Sequence, residues 1–243
     1  MYAICGATGN IGRMVAEQLL RKGEDVRVIG RSEERLKPLV NMGAEACVAD
    51  LADPRALTRA FEGAEAVYTL IPPNMSAPDV RKYQTEIGES IATAINDSGV
   101  KNVVNLSSMG AHLPSGTGVV TGLHDQEERL NQLEGVNVMH LRPTFFMENH
   151  LWQIDSIKQN GMMATPQDPG KPVPQIATAD IADQVVRHLT KRDFKGHTTR
   201  ELLGPGEVTL NDVATAIGQA IGKDDLKCVQ VSYDDTRAHL LKM

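Results

Sequence analysis

The sequence has no long apolar run and no excess of positive charge. Its apolar stretches fall well short of the about 18 residues that a membrane-spanning helix needs, so we expect no membrane association. Lys and Arg total 25 against 31 Asp and Glu, which gives a net charge of −6. A broad basic surface is therefore excluded, and we expect no nucleic acid partner.

Cysteine and metal-type motifs are also scarce. Cys5, Cys47 and Cys228 are odd in number, scattered and without metal-ligand spacing, which is typical of reduced core thiols in a cytoplasmic protein. The histidines form no H-E-x-x-H motif and no close acidic cluster, so we predict no metal site. A predicted strand begins at residue 2, which leaves no room for a signal peptide.

The dominant motif is a glycine turn near the N-terminus, Gly6-Ala7-Thr8-Gly9-Asn10-Ile11-Gly12. An apolar strand precedes it at residues 2–5, and apolar residues recur at every fourth position afterwards, as in an amphipathic helix. Strand, glycine turn and helix form the first half of a dinucleotide site, in which the helix N-terminus faces the pyrophosphate. The spacing G-x-x-G-x-x-G differs from the standard G-x-G-x-x-G, and a purely structural turn is the alternative.

Predicted strands and helices alternate along the chain, which indicates an α/β protein with a doubly wound parallel sheet of the Rossmann type. We predict a loop over residues 112–123, rich in Gly, Ser and Pro, and a helix from His124 to about Leu133. Beyond Pro143 the alternation loosens.

The end of the second predicted strand, Ile29-Gly30-Arg31-Ser32, predicts the choice of cofactor. An acidic residue at this point binds the ribose 2′-hydroxyl of NAD, whereas an arginine accommodates the 2′-phosphate of NADP. Gly30 stands at the acidic position and Arg31 follows it, so we predict NADP(H) in preference to NAD(H). The alternative is that Arg31 is a solvated turn residue.

Other residues at strand ends are expected to contact the same cofactor. Asp50 would accept from the adenine amino group, or it would cap the following helical turn. Pro72 and Pro73 would form a wall beneath the ribose and diphosphate. The complete predicted cofactor set is Gly6, Thr8, Gly9, Asn10, Ile11, Gly12, Arg31, Asp50, Leu51, Ile71, Pro72, Pro73, Ser107, Ser108, His124, Pro143, Thr144 and Phe145.

Motifs along nearly the whole chain occur together in one known group of proteins. They are the glycine turn, Gly30-Arg31, Asp50, Leu106-Ser107-Ser108, Leu141-Arg142-Pro143-Thr144 and on to Asn149, Ala179-Asp180-Ile181-Ala182, and Leu203-Gly204-Pro205. With these motifs the chain resembles the NmrA-like family of atypical short-chain dehydrogenase/reductases. His124-x-x-x-Glu128 is similar to the quinone oxidoreductase and triphenylmethane reductase branch.

The resemblance implies a Rossmann domain with a small C-terminal α/β lobe and a substrate cleft between them. We assign residues 1–143 to the first domain, with 176–195 packing back on it, and residues 144–175 and 196–243 to the lobe. Family members usually continue some tens of residues further, so a terminal helix is expected to be missing here.

The family comparison also bears on catalysis. Ordinary short-chain dehydrogenases use Tyr-x-x-x-Lys, and that pattern falls on Val120 and His124. Valine cannot donate a proton, so we expect hydride transfer to an acceptor that holds negative charge itself, such as a quinone or a cationic dye. His124 would orient the nicotinamide ribose or supply a proton; alternatively it only begins its helix. Ser107 or Ser108 matches the serine that the family carries at the end of the fifth strand. The alternative is that its hydroxyl only forms hydrogen bonds with backbone groups at the strand end.

The predicted catalytic residues are thus His124 and Ser107, and the predicted substrate-binding residues are Phe146, Asn149 and Trp152. Aromatic residues in this stretch would form an apolar floor for a flat substrate, or the core of the lobe. We predict an NADPH-dependent reductase that transfers hydride to a small electron-poor acceptor such as a quinone. The alternative is a non-catalytic NADP(H)-binding redox sensor with a regulatory protein partner, and a homodimer is compatible with either function. A nucleotide-sugar epimerase would need the absent tyrosine.

Overall fold

The structure, a computed structural model, describes residues 1–240 of the chain. The strands are β1 Tyr2–Ile4, β2 Val26–Gly30, β3 Glu45–Val48, β4 Ala66–Leu70, β5 Asn102–Leu106, β6 Asn137–Pro143, β7 Phe145–Phe146, β8 Met163–Thr165, β9 Val173–Ile176, β10 His197–Leu202, β11 Glu207–Val208 and β12 Cys228–Gln230. The helices are α1 Asn10–Arg21, α2 Glu33–Val40, α3 Pro54–Phe61, α4 Val80–Ser98, α5 Thr121–Leu130, α6 Ile154–Asn160, α7 Thr178–Lys191, α8 Leu210–Ile221 and α9 Tyr233–Leu240. Gly118–Val120 and Met147–Gln153 are 3₁₀-helical.

The chain forms two compact units. The first comprises Met1–Pro143 and Thr178–Leu202, and the second comprises Thr144–Ala177 and the chain from Leu203 onward. Residues 197–202, which the sequence assigned to the lobe, form β10 and pair in parallel with β6 in the first unit. Five of these six residues are polar and most of them are exposed, as at the edge of a sheet, which explains why they do not resemble the buried strands in sequence.

The first unit contains a seven-stranded sheet with the order β3-β2-β1-β4-β5-β6-β10. Every neighbouring pair in it is parallel. The predicted Rossmann-type fold is therefore confirmed. The strand order reverses direction between β1 and β4, and in such sheets ligands bind at the carboxyl edge beside that switch point.

Apolar residues at helical spacing anchor the helices of the first unit to this sheet. α1 packs against α7, while α4 packs against both α3 and α5. One core cluster includes the fully buried Phe61, Ile91, Ile95 and Val103. This packing fixes the strand ends from which the candidate site residues project.

Helix α5 begins three residues earlier than the sequence indicated, at Thr121 rather than at His124. The close approach of α4 explains the difference. A side chain at Gly122 would lie 2.0 Å from Oε1 of Gln84, and Gln84 Nε2 donates to the carbonyl of Val119 at 2.9 Å. Gly122 thus serves packing between helices, so the predicted loop over 112–123 is wrong in its second half.

The second unit contains a three-stranded sheet in the order β11-β9-β7 and a two-stranded sheet of β12 and β8. Its small core consists of Ile157, Met163, Ala214, Leu226 and Cys228. Helix α8 begins with a complete capping box between Thr209 and Asp212. No helix among residues 1–240 combines the length and apolar character needed to cross a membrane.

Candidate active site

The glycine turn follows β1 directly and is tightly closed. Gly6 has a φ of +60°, and its carbonyl oxygen accepts a hydrogen bond from the N–H of Gly9 at 2.9 Å. A side chain at Gly12 would lie 2.4 Å from the carbonyl oxygen of Gly6. The first and third glycines are therefore required by the turn and by the packing of α1 on it.

The N-terminus of α1 is open to a ligand. Its N-cap is Gly9, no side chain in the described chain caps it, and its first turn has no acidic residue. Gly9 and Asn10 are exposed, whereas Ile11 and Gly12 are buried against the strands. Uncapped N–H groups and the positive end of the helix dipole suit a pyrophosphate, so these residues fit the predicted dinucleotide.

Two arginines lie at the end of β2 beside this turn. Arg31 is exposed, and Arg35, on the first turn of α2, donates from Nη2 to the carbonyl of Thr8 at 3.1 Å. Sequence reasoning missed Arg35, although its place in the first turn of a helix capped by Ser32, just after Arg31, was a usable signal. The cluster brings positive charge to the expected 2′-phosphate position.

Asp50 follows β3 and is exposed. Its Oδ1 accepts from the backbone N–H of Ala52 at 3.0 Å, while Asp53 caps α3. Asp50 therefore supports a local turn but is not the N-cap of the helix. Burial raises the pKa of Tyr83, Arg31 lowers it and Asp50 raises it further, so both charged side chains act on this tyrosine.

The remaining predicted residues of this edge follow β3 and β4. Leu51 and Ile71 are buried, Pro72 is half-buried and Pro73 is exposed. They lie at the carboxyl ends of the strands on either side of the switch point, as the prediction of a cofactor wall requires.

Ser107, at the end of β5, belongs to a buried polar cluster that the sequence did not reveal. Its hydroxyl donates to Oε1 of Glu127 on α5. Arg142 of β6 donates from Nε to the same oxygen at 2.9 Å and from Nη2 to Oε2 at 2.5 Å. Burial works to raise the pKa of Glu127, but the bonds from Arg142 and Ser107 hold it below its usual range. The Ser108 hydroxyl, by contrast, donates to the carbonyl of Met109.

A second buried network lies behind this cluster. His140 Nδ1 accepts from Asn105 at 3.2 Å, and its Nε2 donates to Asn131 Oδ1 at 3.0 Å. Asn105 Oδ1 in turn accepts from Thr69 at 3.2 Å. Burial lowers the pKa of His140 to about 4, so this imidazole is neutral and structural at neutral pH.

His124 lies in the second turn of α5, so it does not begin its helix. Its Nδ1 bonds to the carbonyl of Ala111 at 2.9 Å, and a carbonyl can only accept, so Nδ1 carries the proton. In the neutral ring Nε2 is then an acceptor. His124 is half-buried, at the place where a catalytic lysine would stand in the ordinary pattern.

Pro143 ends β6, and its carbonyl accepts from the N–H of Met109 at 2.9 Å. The chain then enters the second unit at Thr144, whose hydroxyl donates to Leu203 O at 3.4 Å. Phe145 is 43% exposed and Trp152 is 80% exposed, so neither belongs to the lobe core. Phe146 and Asn149 are half-buried.

Among residues 1–240, no three His, Cys, Asp or Glu side chains come together in a way that could hold a metal ion.

The sequence and the fold were compared with those of known proteins. The sequence model of the NmrA-like family matches residues 2–238. An NAD(P)H azoreductase from Xenophilus azovorans is 28% identical, over 92% of this chain and 74% of that protein. Quinone oxidoreductase 2 from Escherichia coli strain K12 is 26% identical, over 97% and 77%. The solved structure of an NADPH-dependent quinone oxidoreductase from Escherichia coli, complexed with NADPH, has a TM-score of 0.85 at 24% identity and covers 100% of this chain and 82% of that one. This last likeness concerns the fold.

Proposed function

Because this chain belongs to the NmrA-like family, we propose that it is an NADPH-dependent reductase that transfers hydride to a small electron-poor acceptor such as a quinone. The observation that carries the proposal is the open N-terminus of α1 behind the glycine turn, with Arg31 and Arg35 beside it. A dinucleotide with a 2′-phosphate matches both features.

The relatives support the enzyme class and the kind of acceptor. One is named an NAD(P)H azoreductase and another a quinone oxidoreductase. Azo compounds and quinones share low-lying orbitals that accept a hydride and retain the resulting charge. NADPH supplies the hydride when bound.

In the proposed complex the residues at each strand end bind a different part of the cofactor. The backbone of the glycine turn, with Thr8, Asn10 and Ile11, holds the pyrophosphate, and Arg31 and Arg35 hold the 2′-phosphate. Asp50 accepts from adenine. Pro72 and Pro73 form the wall beneath the ribose and diphosphate, and Leu51 and Ile71 are further cofactor-binding residues. The proposed residues at the nicotinamide end are Ser107, Ser108, His124, Pro143, Thr144 and Phe145. Phe146, Asn149 and Trp152 are the proposed substrate-binding residues of the second unit.

In our proposal, neither position of the ordinary Tyr-x-x-x-Lys pattern supplies a strong acid to this chemistry. Val120 has no ionisable group, and the Nδ1 proton of His124 is directed to Ala111. Reduction of a quinone consumes one hydride and one proton, and we propose that the proton comes from water after the acceptor has taken the charge. Ketones, which need the proton in the transition state, are poor substrates in this account.

The test is NADPH oxidation against a panel of quinones, azo dyes and simple ketones, beside equilibrium binding of NADP⁺. We expect quinones or azo dyes to be reduced and ketones to be inert. Tight NADPH binding without oxidation by any acceptor would instead support a redox sensor with a protein partner. Because Cys5, Cys47 and Cys228 are unpaired, we propose the cytoplasm as the setting for either activity.

A further inference from the structure

The hydroxyl of Ser107 has its only proton directed into the protein. Ser107 Oγ donates to Glu127, and the backbone N–H of Ser107 donates to the carbonyl of Leu141 at 2.7 Å. A serine hydroxyl carries one proton and two lone pairs. With the proton used by Glu127, only lone pairs are left for a ligand.

Arg142 determines the direction of this hydrogen bond. Its Nε and Nη2 meet the two carboxylate oxygens of Glu127 at 2.9 and 2.5 Å, which is the fork geometry of a charged pair. The side chains of Arg142 and Glu127 are only 15% and 4% exposed. A carboxylate held in this way is acceptor-only, so Ser107 must be the donor in its bond to Glu127.

We propose that Ser107 is a hydrogen-bond acceptor for a neutral N–H or O–H group of the bound ligand, and that Glu127 and Arg142 are positioning residues that enforce this polarity. The proposal rests on the proposed function, because Ser107 follows β5 at the carboxyl edge where the nicotinamide end is assigned. Two groups have the required chemistry: the carboxamide N–H₂ of the nicotinamide and the hydroxyl of the reduced acceptor. A ketone oxygen offers only lone pairs and gains nothing from this serine.

Two matched ligand pairs distinguish the sources of the donor. The first pair is NADP⁺ and its 3-acetylpyridine analogue, in which a methyl group replaces the amide N–H₂. The second pair is naphthalene-1,4-diol and its dimethyl ether, each titrated anaerobically into the NADP⁺ complex. We expect the donor-bearing member of one pair to bind about two- to tenfold more tightly to the wild type. In Ser107→Ala that preference should disappear.

Glu127→Gln tests the positioning role, with Glu128→Gln as its control. The new amide can keep its oxygen on Arg142 and turn its N–H₂ toward Ser107, so that the serine proton becomes free to point at the ligand. The donor preference should then fall or reverse in the same ligand pair. Glu128 is exposed on the same helix, and its substitution should leave the preference intact.

The outcomes separate this proposal from the function on which it rests. If the wild type binds NADP⁺ normally but binds the two members of each ligand pair with equal affinity, the acceptor role of Ser107 is overturned and the proposed function is not. A preference that persists in Ser107→Ala, or that is unchanged in a folded Glu127→Gln protein, would also overturn the acceptor role. Absence of NADP⁺ binding to the wild type would overturn both proposals. If Glu127→Gln does not fold, the comparison of Ser107→Ala with the wild type still decides whether Ser107 accepts.

Discussion

The last residue of β2 is a glycine, and the lack of a side chain there bears on cofactor choice. A side chain at Gly30 would lie 3.1 Å from Cγ2 of Thr8 and 3.3 Å from Cδ2 of Leu36. An acidic residue, as in NAD-specific sites, would need both neighbours to move. Residue 30 therefore supplies no carboxylate that would compete with Arg31 and Arg35 at the proposed ribose position.

Replacing Arg31 with alanine should weaken NADPH binding by about ten- to a hundredfold, because one charge-assisted bond to phosphate is lost. NADH binding should hardly change. Arg21→Ala, at the far end of α1, is the matched control because it removes the same charge from an exposed site. Equal losses for both cofactors in fluorescence titrations would show that Arg31 does not contact the 2′-phosphate.

His124 permits a second prediction for a single residue. If the acceptor holds its own charge, removing one weak acid should lower the rate only modestly, well below the about hundred- to ten-thousandfold effect of a required general acid. His124→Ala and His124→Gln should therefore both retain most of the quinone reductase rate. A collapse of kcat in both variants, with unchanged NADPH affinity, would show that the imidazole is the proton donor.

At the scale of elements, the junction of β1 and α1 depends on glycine in two different ways. Gly12 is needed by the fold, since its side chain would meet a backbone oxygen at 2.4 Å. At Gly9 the nearest contact of an added side chain would be Gly6 O at 3.3 Å, and a larger side chain would occupy space on the ligand side of the turn.

Gly9→Val should accordingly abolish NADPH binding while the fold survives, because a branched side chain blocks the approach of the pyrophosphate. Gly12→Ala should in contrast lower the midpoint of thermal unfolding, because overpacking against the backbone typically costs about 1–3 kcal/mol. Calorimetric unfolding and NADPH titration of the two variants separate the effects. A Gly9→Val protein that still binds NADPH would show that the turn is only structural.

At the scale of the whole molecule, the buried network around His140 predicts how stability changes with pH. The pKa of His140 is depressed from 6.5 to about 4, so the unfolded chain binds the proton more strongly than the folded one. The contribution of neutral His140 to the free energy of unfolding is fully present above pH 6.5 and is lost as the pH falls toward 4. The shift corresponds to about 3 kcal/mol.

The free energy of unfolding in urea should therefore decrease between pH 6.5 and pH 4, and His140→Gln should flatten that decrease. Glu127 acts at lower pH. Its pKa is lower in the folded protein than in the unfolded chain, so its contribution to stability is present above the unfolded pKa and is lost as the pH falls through the folded pKa. A wild-type curve that is flat between pH 6.5 and pH 4 would contradict the neutral assignment of His140.

The sequence predicted those parts of the molecule that depend on local chain geometry. The glycine turn, the alternation of strands and helices, and Arg31 after β2 all follow from residues close together in the chain. The Ser107–Glu127–Arg142 cluster was not predictable in this way, because its members lie on three different elements and meet only through tertiary packing. The start of α5 was missed for a similar reason, since Gly122 is set by contact with Gln84 and not by local propensity.

The most direct test of the proposed function is anaerobic mixing of the purified protein with NADPH and menadione, with both reactants quantified. We predict catalytic turnover that forms one hydroquinone for each NADPH consumed, saturates with NADPH and is absent in Gly9→Val. NADPH that binds to the wild type but remains unoxidised with menadione and with every other quinone and azo dye would contradict the reductase assignment.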